Sequence, residues 1–366
     1  MRNNSDTNFE GITKAVQRIS NLLLIVFVLA LLTIAVLLAT KNKSSNGEES
    51  AGPKPDKDGL FTESARQALE RERSEKARYW QALDTVLLAG LKDAALIKYG
   101  KKLITNTAFY FGENGSVAKR STNGMNCQNC HLEAGTKTWG NNFSAVLSTY
   151  PKYRARSGKI ETISKRINDC FERSLNGKAL DTSSKEMKAI IAYITWLCSS
   201  VRKGEKPAGS GFQKIAYLSE AASVVKGKQV YIDKCMACHG PNGEGRENKT
   251  AGGYTYPPLW GPHSYNSGAG LLRLANFASF VKYNMPFGLD YLSTQLSNEE
   301  AWDVAAFVNS QSRPGFDIQH DWPKLHEKPI DLPFGPFADD FSEQQHKYGP
   351  FLPIIAKREL LLKKRL

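Results

Sequence analysis

The apolar positions of this chain fall into three regimes. Residues 21–40 are almost wholly apolar and carry no charge, up to Lys41. About 20 helical residues cover a hydrocarbon core of roughly 30 Å, so this run predicts a single membrane-spanning helix. It is longer than the ~7–15-residue centre of a cleavable signal and lacks an Ala-x-Ala exit, which favours an uncleaved anchor. Residues 1–20 are polar, and residues 41–58, rich in Lys, Ser, Gly, Pro and Asp, read as a flexible linker. Beyond residue 58 the pattern is that of globular helices, beginning with an amphipathic stretch at residues 64–89.

The next 230 or so residues hold a loose repeat. Each copy has an opening helix, a Cys-x-x-Cys-His, a long irregular stretch and a closing helix. In the first copy these fall at residues 93–105, 127–131 and 185–201; in the second, at 219–234, 235–239 and 298–310. Ile190, Ile194, Leu197 and Val201 share one helical stripe, and Trp302, Ala305, Ala306 and Asn309 another. Gly100 and Gly227 sit inside the opening helices, where Gly costs about 1 kcal/mol relative to Ala. That cost is tolerable where a second helix crosses closely, as the first and last helices of a class I cytochrome c do. Strand signals are nearly absent. The expected fold is all-α: two tandem class I cytochrome c-like domains behind one N-terminal transmembrane helix. The expected boundaries are 59–202 for the first domain with its leading helix, 203–216 for a linker, 217–315 for the second domain and 316–366 for an extended C-terminal tail.

Cys127-Gln-Asn-Cys130-His131 and Cys235-Met-Ala-Cys238-His239 carry the chemistry. Two thiols at this spacing add to the vinyl groups of one porphyrin, and the next residue places an imidazole under the iron. A redox dithiol or half a zinc site would also use a Cys pair, but two copies behind an export segment point to two covalently bound haem c groups. Haem attachment to Cys takes place outside the cytoplasm. The N-terminus is therefore expected inside, with both domains on the periplasmic face of the inner membrane. The net charge of +13 suits anionic partners; nucleic acid is excluded by that location and by the lack of any nucleic-acid module.

Four of the six cysteines are consumed by the motifs, leaving Cys170 and Cys198. Cys198, in a closing helix, reads as a buried core residue, with a Cys170–Cys198 disulfide as the alternative. Met285, in a Met-Pro loop before the last helix, reads as the sixth ligand of the second iron, with a core methionine as the alternative. The first domain has no such loop. At the corresponding place Arg166, Cys170 and Ser174 recur every four residues along a helical stripe. With Arg156 upstream, that stripe offers a sulfur flanked by guanidinium groups and a hydroxyl, which suits a sulfur oxyanion. Spacing alone fits equally well a solvated arginine face with Cys170 in the core.

These segments resemble the dihaem thiosulfate dehydrogenases. The resemblance runs from Tyr99-Gly-Lys-Lys-Leu103 through the first haem motif, Tyr150-Pro-Lys-Tyr-Arg-Ala-Arg156 and Arg166-Ile-Asn-Asp-Cys-Phe-Glu-Arg-Ser174. It continues through Pro257-Pro-Leu-Trp-Gly-Pro262 and Asn284-Met-Pro286, covering roughly residues 80–315. It implies His131 and Cys170 as ligands of an active-site haem, and His239 and Met285 as ligands of an electron-transfer haem. It also implies Arg156, Arg166 and Ser174 as substrate residues. The activity implied is the two-electron interconversion of thiosulfate and tetrathionate, with electrons passed to a soluble or membrane redox partner. Some members carry a ligating Lys where this chain has Asn284, so permanent His/Met ligation is implied here. The rival expectations are a membrane-tethered electron shuttle without a substrate, and a cytochrome that loads thiosulfate onto a sulfur-carrier protein.

Overall fold

Two pairs of crossing helices organise the protein, and each crossing depends on a missing side chain. The computed structural model describes residues 63–248 and 252–363. Its first helices are α1 (Glu63–Ala77), α2 (Ala94–Thr105), α3 (Thr107–Phe111), α4 (Ile163–Asp169) and α5 (Lys185–Leu197). Then come α6 (Val224–Lys234), α7 (Leu274–Asn284) and α8 (Asn298–Ser310), and near the C-terminus α9 (Glu343–Tyr348) and α10 (Leu352–Lys363). The chain divides into two units at Arg73/Ser74. The first is described only through the early turns of α1, and every element after α1 belongs to the second.

α2 crosses α5 at Gly100, where a Cβ would run into the Ala189 carbonyl, and α6 crosses α8 at Gly227, where a Cβ would meet the Asp303 carbonyl. Both glycines thus serve close helix approach. α5 starts at Ser184, whose hydroxyl accepts from Met187 N at 3.1 Å. α8 starts with a Ser297/Glu300 capping box. Ile190, Ile194 and Leu197 of the predicted stripe are buried with Leu103, Ile104, Phe111 and Phe171 in the first core. Trp302, Ala305 and Ala306 are buried in the second, beside Tyr231 and Phe277.

The C-terminal region is more structured than an extended tail. Phe351, just before α10, and Ile354 within it pack into the second core, and Ala222 N donates to Tyr348 O at 2.8 Å. The sequence also concealed two short antiparallel hairpins, β1 (Lys152–Arg154) with β2 (Lys159–Glu161) and β3 (Arg246–Glu247) with β4 (Tyr254–Tyr256). The leading helix ends at Ala77 rather than near residue 89, because the chain turns to bury Trp80, whose backbone N–H donates to Ala208 O at 2.9 Å.

The expected membrane anchor requires a correction. Residues 21–40 lie outside the described residues, and among the described residues no helix is long and apolar enough to cross a membrane. The longest of these, α1, has 15 residues rich in Glu, Arg and Lys, about 22 Å against the roughly 30 Å required. The fold class is therefore corrected to a mostly helical protein with no spanning helix among the described residues. The single-pass inner-membrane location and the membrane contact through residues 21–40 are withdrawn with it.

Candidate functional site

The turn carrying Cys127, Cys130 and His131 is fastened to the α2–α3 junction. Asn126 Oδ1 accepts from Ala108 N at 2.8 Å, Cys127 N donates to Thr107 Oγ1 at 3.0 Å, and His131 N donates to Cys127 O at 2.9 Å. His131 Nδ1 lies 2.6 Å from Asn141 O. A carbonyl can only accept, so Nδ1 carries the proton and the Nε2 lone pair is left free, the usual support of a metal-bound imidazole. Burial pulls His131 down to about 4, with the Asn141 carbonyl opposing it in part.

Cys127, Cys130 and His131 line a cavity of about 600 Å³ together with Met125, Cys170 and Ser174. Burial pushes the Cys127 and Cys130 thiols up to about 12. That apolar setting suits thioether links to haem and disfavours the thiolates a zinc ion needs. Among the described residues no group of three or more His, Cys, Asp or Glu side chains could hold a metal ion by itself.

Arg166, Cys170 and Ser174 share one edge because α4 changes pitch. Residues Cys170–Ser174 form a π turn, closed by Leu175 N donating to Cys170 O at 2.9 Å. A four-residue step overshoots a full turn by about 40° in an α-helix and undershoots by about 33° in a π-helix, so Ser174 swings back over Arg166. Cys170 and Arg166 also line a second cavity of about 960 Å³ with His131, Tyr150, Lys152 and Lys206. Beyond it lies an open cleft of about 1670 Å³ that takes in Arg156, Arg166, Arg173, Ser174 and Trp322. Arg156, in the turn between β1 and β2, lines this cleft and not the Cys170 cavity.

The charges are arranged for an anion. The Cys170 sulfur holds the Arg166 guanidinium above its ordinary value. Burial, together with Arg173 and Arg166, pushes Arg156 down to about 10; it remains a cation at neutral pH, and one that an anion would relieve. Arg173 does not belong to a solvated arginine face: it is buried and pairs in bidentate fashion with Asp321 at 2.6 and 2.8 Å. The Tyr150 hydroxyl is buried with no protein partner. Cys198 is a free, buried thiol whose Sγ lies 2.8 Å from Phe143 O, and Cys170 is free as well.

In the second half, Cys235, Cys238 and His239 follow α6. His239 Nδ1 lies 2.8 Å from Pro257 O, so here too Nε2 is the free nitrogen. These residues line an apolar cavity of about 850 Å³ that Met285 borders from the end of α7. Asn284 does not line it; its Nδ2 donates to Trp139 O at 3.2 Å and Phe280 O at 3.0 Å. Met125 and Cys130 line both this cavity and that of the first half. The two cavities therefore share a wall, which sequence reasoning missed. It also missed Asp321 and Trp322, neither of which carries a local signal of a role, and Tyr150, at the head of a resembling segment, was given no role of its own.

Two helical halves, each presenting a thiol pair and an oriented imidazole to an apolar cavity, define a dihaem c-type cytochrome, a protein with two haem c groups. Residues 112–201 match the SoxA/TsdA cytochrome c domain family, and residues 224–312 match the cytochrome c family. The chain belongs to the thiosulfate dehydrogenase family. It is 39% identical over 239 residues to the thiosulfate dehydrogenase of Allochromatium vinosum, covering 64% of this chain and 86% of that protein. It is 43% identical over 202 residues to that of Psychrobacter arcticus, covering 55% of this chain and 60% of the relative's length. A solved structure of thiosulfate dehydrogenase (TsdBA) from Marichromatium purpuratum superposes with a TM-score of 0.60 at 30% identity, covering 66% of this chain and 51% of that one.

Proposed function

We propose that this chain interconverts thiosulfate and tetrathionate: two thiosulfate dianions join through their terminal sulfurs and release two electrons, with no proton lost. The observation that carries this reading is the helix edge of Arg166, Cys170 and Ser174, which lines the cavity containing His131 on one side and the basic cleft on the other. Residues 59–202 form the substrate half, and residues 217–315, beyond a linker at 203–216, form the relay half. Cys127 and Cys130 would hold one haem with His131 and Cys170 as its ligands; Cys235 and Cys238 would hold the other with His239 and Met285. Bound there, the haems supply one-electron acceptors, and a redox partner such as another cytochrome takes the electrons onward.

The protein's own task is electrostatic. Two dianions about 5 Å apart repel by an amount on the order of 10 kcal/mol at an effective dielectric near 20. Arg156 and Arg166 offset that repulsion, and a guanidinium matches an oxyanion in bidentate fashion. Ser174 offers a hydroxyl to the same anion. Cys170, which lines both cavities that contain His131, would serve as iron ligand and redox participant toward the substrate sulfur.

The test is steady-state turnover of purified, haem-loaded protein with thiosulfate and an artificial electron acceptor. Turnover without any added carrier protein is expected, and none in either direction would overturn the proposal. The match to a family shared with SoxA favours a second reading, in which thiosulfate is loaded onto a sulfur-carrier protein; activity that requires such a carrier would select it.

A further inference from the structure

The matched families end at residue 312, yet the chain beyond that point returns to the Cys170 side of the molecule. We infer that residues 316–329 form a strap that positions Arg156 for its anion, with Trp322 and Asp321 as the positioning residues. That the anion is thiosulfate rests on the function proposed above.

Four observations carry the strap. Trp322 is 5% exposed, and its backbone N–H donates to the Arg156 carbonyl at 2.7 Å. The Arg156 guanidinium lies 5.6 Å from the Trp322 ring centre, within cation–π range. Trp322 has φ +56°, a left-handed conformation that a bulky residue holds only where its surroundings enforce it. Asp321, the preceding residue, takes both oxygens to Arg173. That pairing neutralises the neighbouring cation that would otherwise repel Arg156 and compete with it for an anion.

The strap is fastened at both ends. Upstream, Phe316 N donates to Ser267 Oγ at 2.9 Å, and the Phe316 ring lies 4.5 Å from the Arg173 guanidinium. Downstream, Glu327 accepts from Tyr153 Oη at 2.6 Å, which ties it to β1. The buried Lys328 ammonium sits 5.4, 5.3 and 5.0 Å from the rings of Trp322, Phe334 and Phe337. Its backbone carbonyl accepts from Arg358 of α10 at 2.5 Å. A continuous packed path therefore runs from the C-terminal helix to Arg156.

The experiment uses the full-length holoprotein with Trp322→Leu, which keeps apolar bulk without a ring, and Trp322→Phe, which keeps a ring. Three readouts are taken: the thiosulfate KM against kcat, the Kd of tetrathionate for the oxidised protein, and the rate at which phenylglyoxal labels Arg156, followed by peptide mass spectrometry. Trp322→Leu is expected to raise KM and Kd about tenfold, change kcat less than about threefold and speed Arg156 labelling, with Trp322→Phe close to wild type. In an Arg156→Ala background Trp322→Leu should add no further loss, because the ring acts through that arginine. Additive losses, or unchanged Arg156 labelling in Trp322→Leu, would overturn the strap. Faster labelling in a protein that neither turns over thiosulfate nor binds tetrathionate would uphold the strap and defeat the thiosulfate reading.

Discussion

Gly100→Ala tests the helix crossing on which the first haem site is built. The new Cβ would overlap the Ala189 carbonyl oxygen and carbon and approach the Tyr193 Cβ to 2.9 Å. The first two are backbone atoms and cannot rotate away, so α2 and α5 must separate. Leu103 and Ile104 of α2 and Leu197 of α5, each at most 1% exposed, then lose packing. Overpacking of this kind costs about 1–3 kcal/mol, toward the upper end against backbone, while Ala returns about 1 kcal/mol of helix propensity. The net expectation is a loss of about 1–2 kcal/mol, or roughly 2–8 °C in Tm for a domain of about 150 residues. Calorimetry of the holoprotein would measure the shift. Hydrogen exchange should show faster opening in α2 and α5, with α6 and α8 unchanged. A Tm equal to or above wild type would refute the crossing; Gly227→Ala should show the mirror pattern.

Asp321→Ala leaves Arg173 buried without its partner, and removing one member of a buried pair costs about 3–5 kcal/mol, which a lowered urea midpoint would report. Tyr150→Phe should raise the thiosulfate KM severalfold with kcat little changed, because the hydroxyl has no protein partner to lose and its removal is felt only by the anion. Burial holds Lys328 down at about 8, below its ordinary 10.5. The unfolded chain therefore binds the extra proton between about pH 8 and 10.5, so this group makes stability rise with pH across that window. Thermal melts from pH 7 to 10 should show that rise, and Lys328→Met should flatten it.

What the sequence revealed was whatever is written over short spans. Asn298–Ser310 matches the predicted last helix residue for residue, since its capping box and apolar stripe are local. Gly100 and Gly227 were readable because a glycine inside a helix demands a reason. The four-residue spacing of Arg166, Cys170 and Ser174 was visible, but the π turn that aligns it was not, since that depends on one carbonyl choosing a partner five residues on. The bond between Arg173 and Asp321 spans 148 residues, and no periodicity could signal it. The same holds for Trp322 at Arg156 and for the wall of Met125 and Cys130 shared by the two cavities. The hairpin at Lys152–Glu161 escaped because three-residue strands leave too short a pattern.

The most direct test of the central claim is activity in both directions for wild type beside Cys170→Ala. One assay supplies thiosulfate with an artificial acceptor, and the other supplies tetrathionate with a reduced dye. The account predicts turnover in wild type that collapses in the variant while both haems stay bound and the second keeps its spectrum. Undiminished turnover in haem-loaded Cys170→Ala would contradict it.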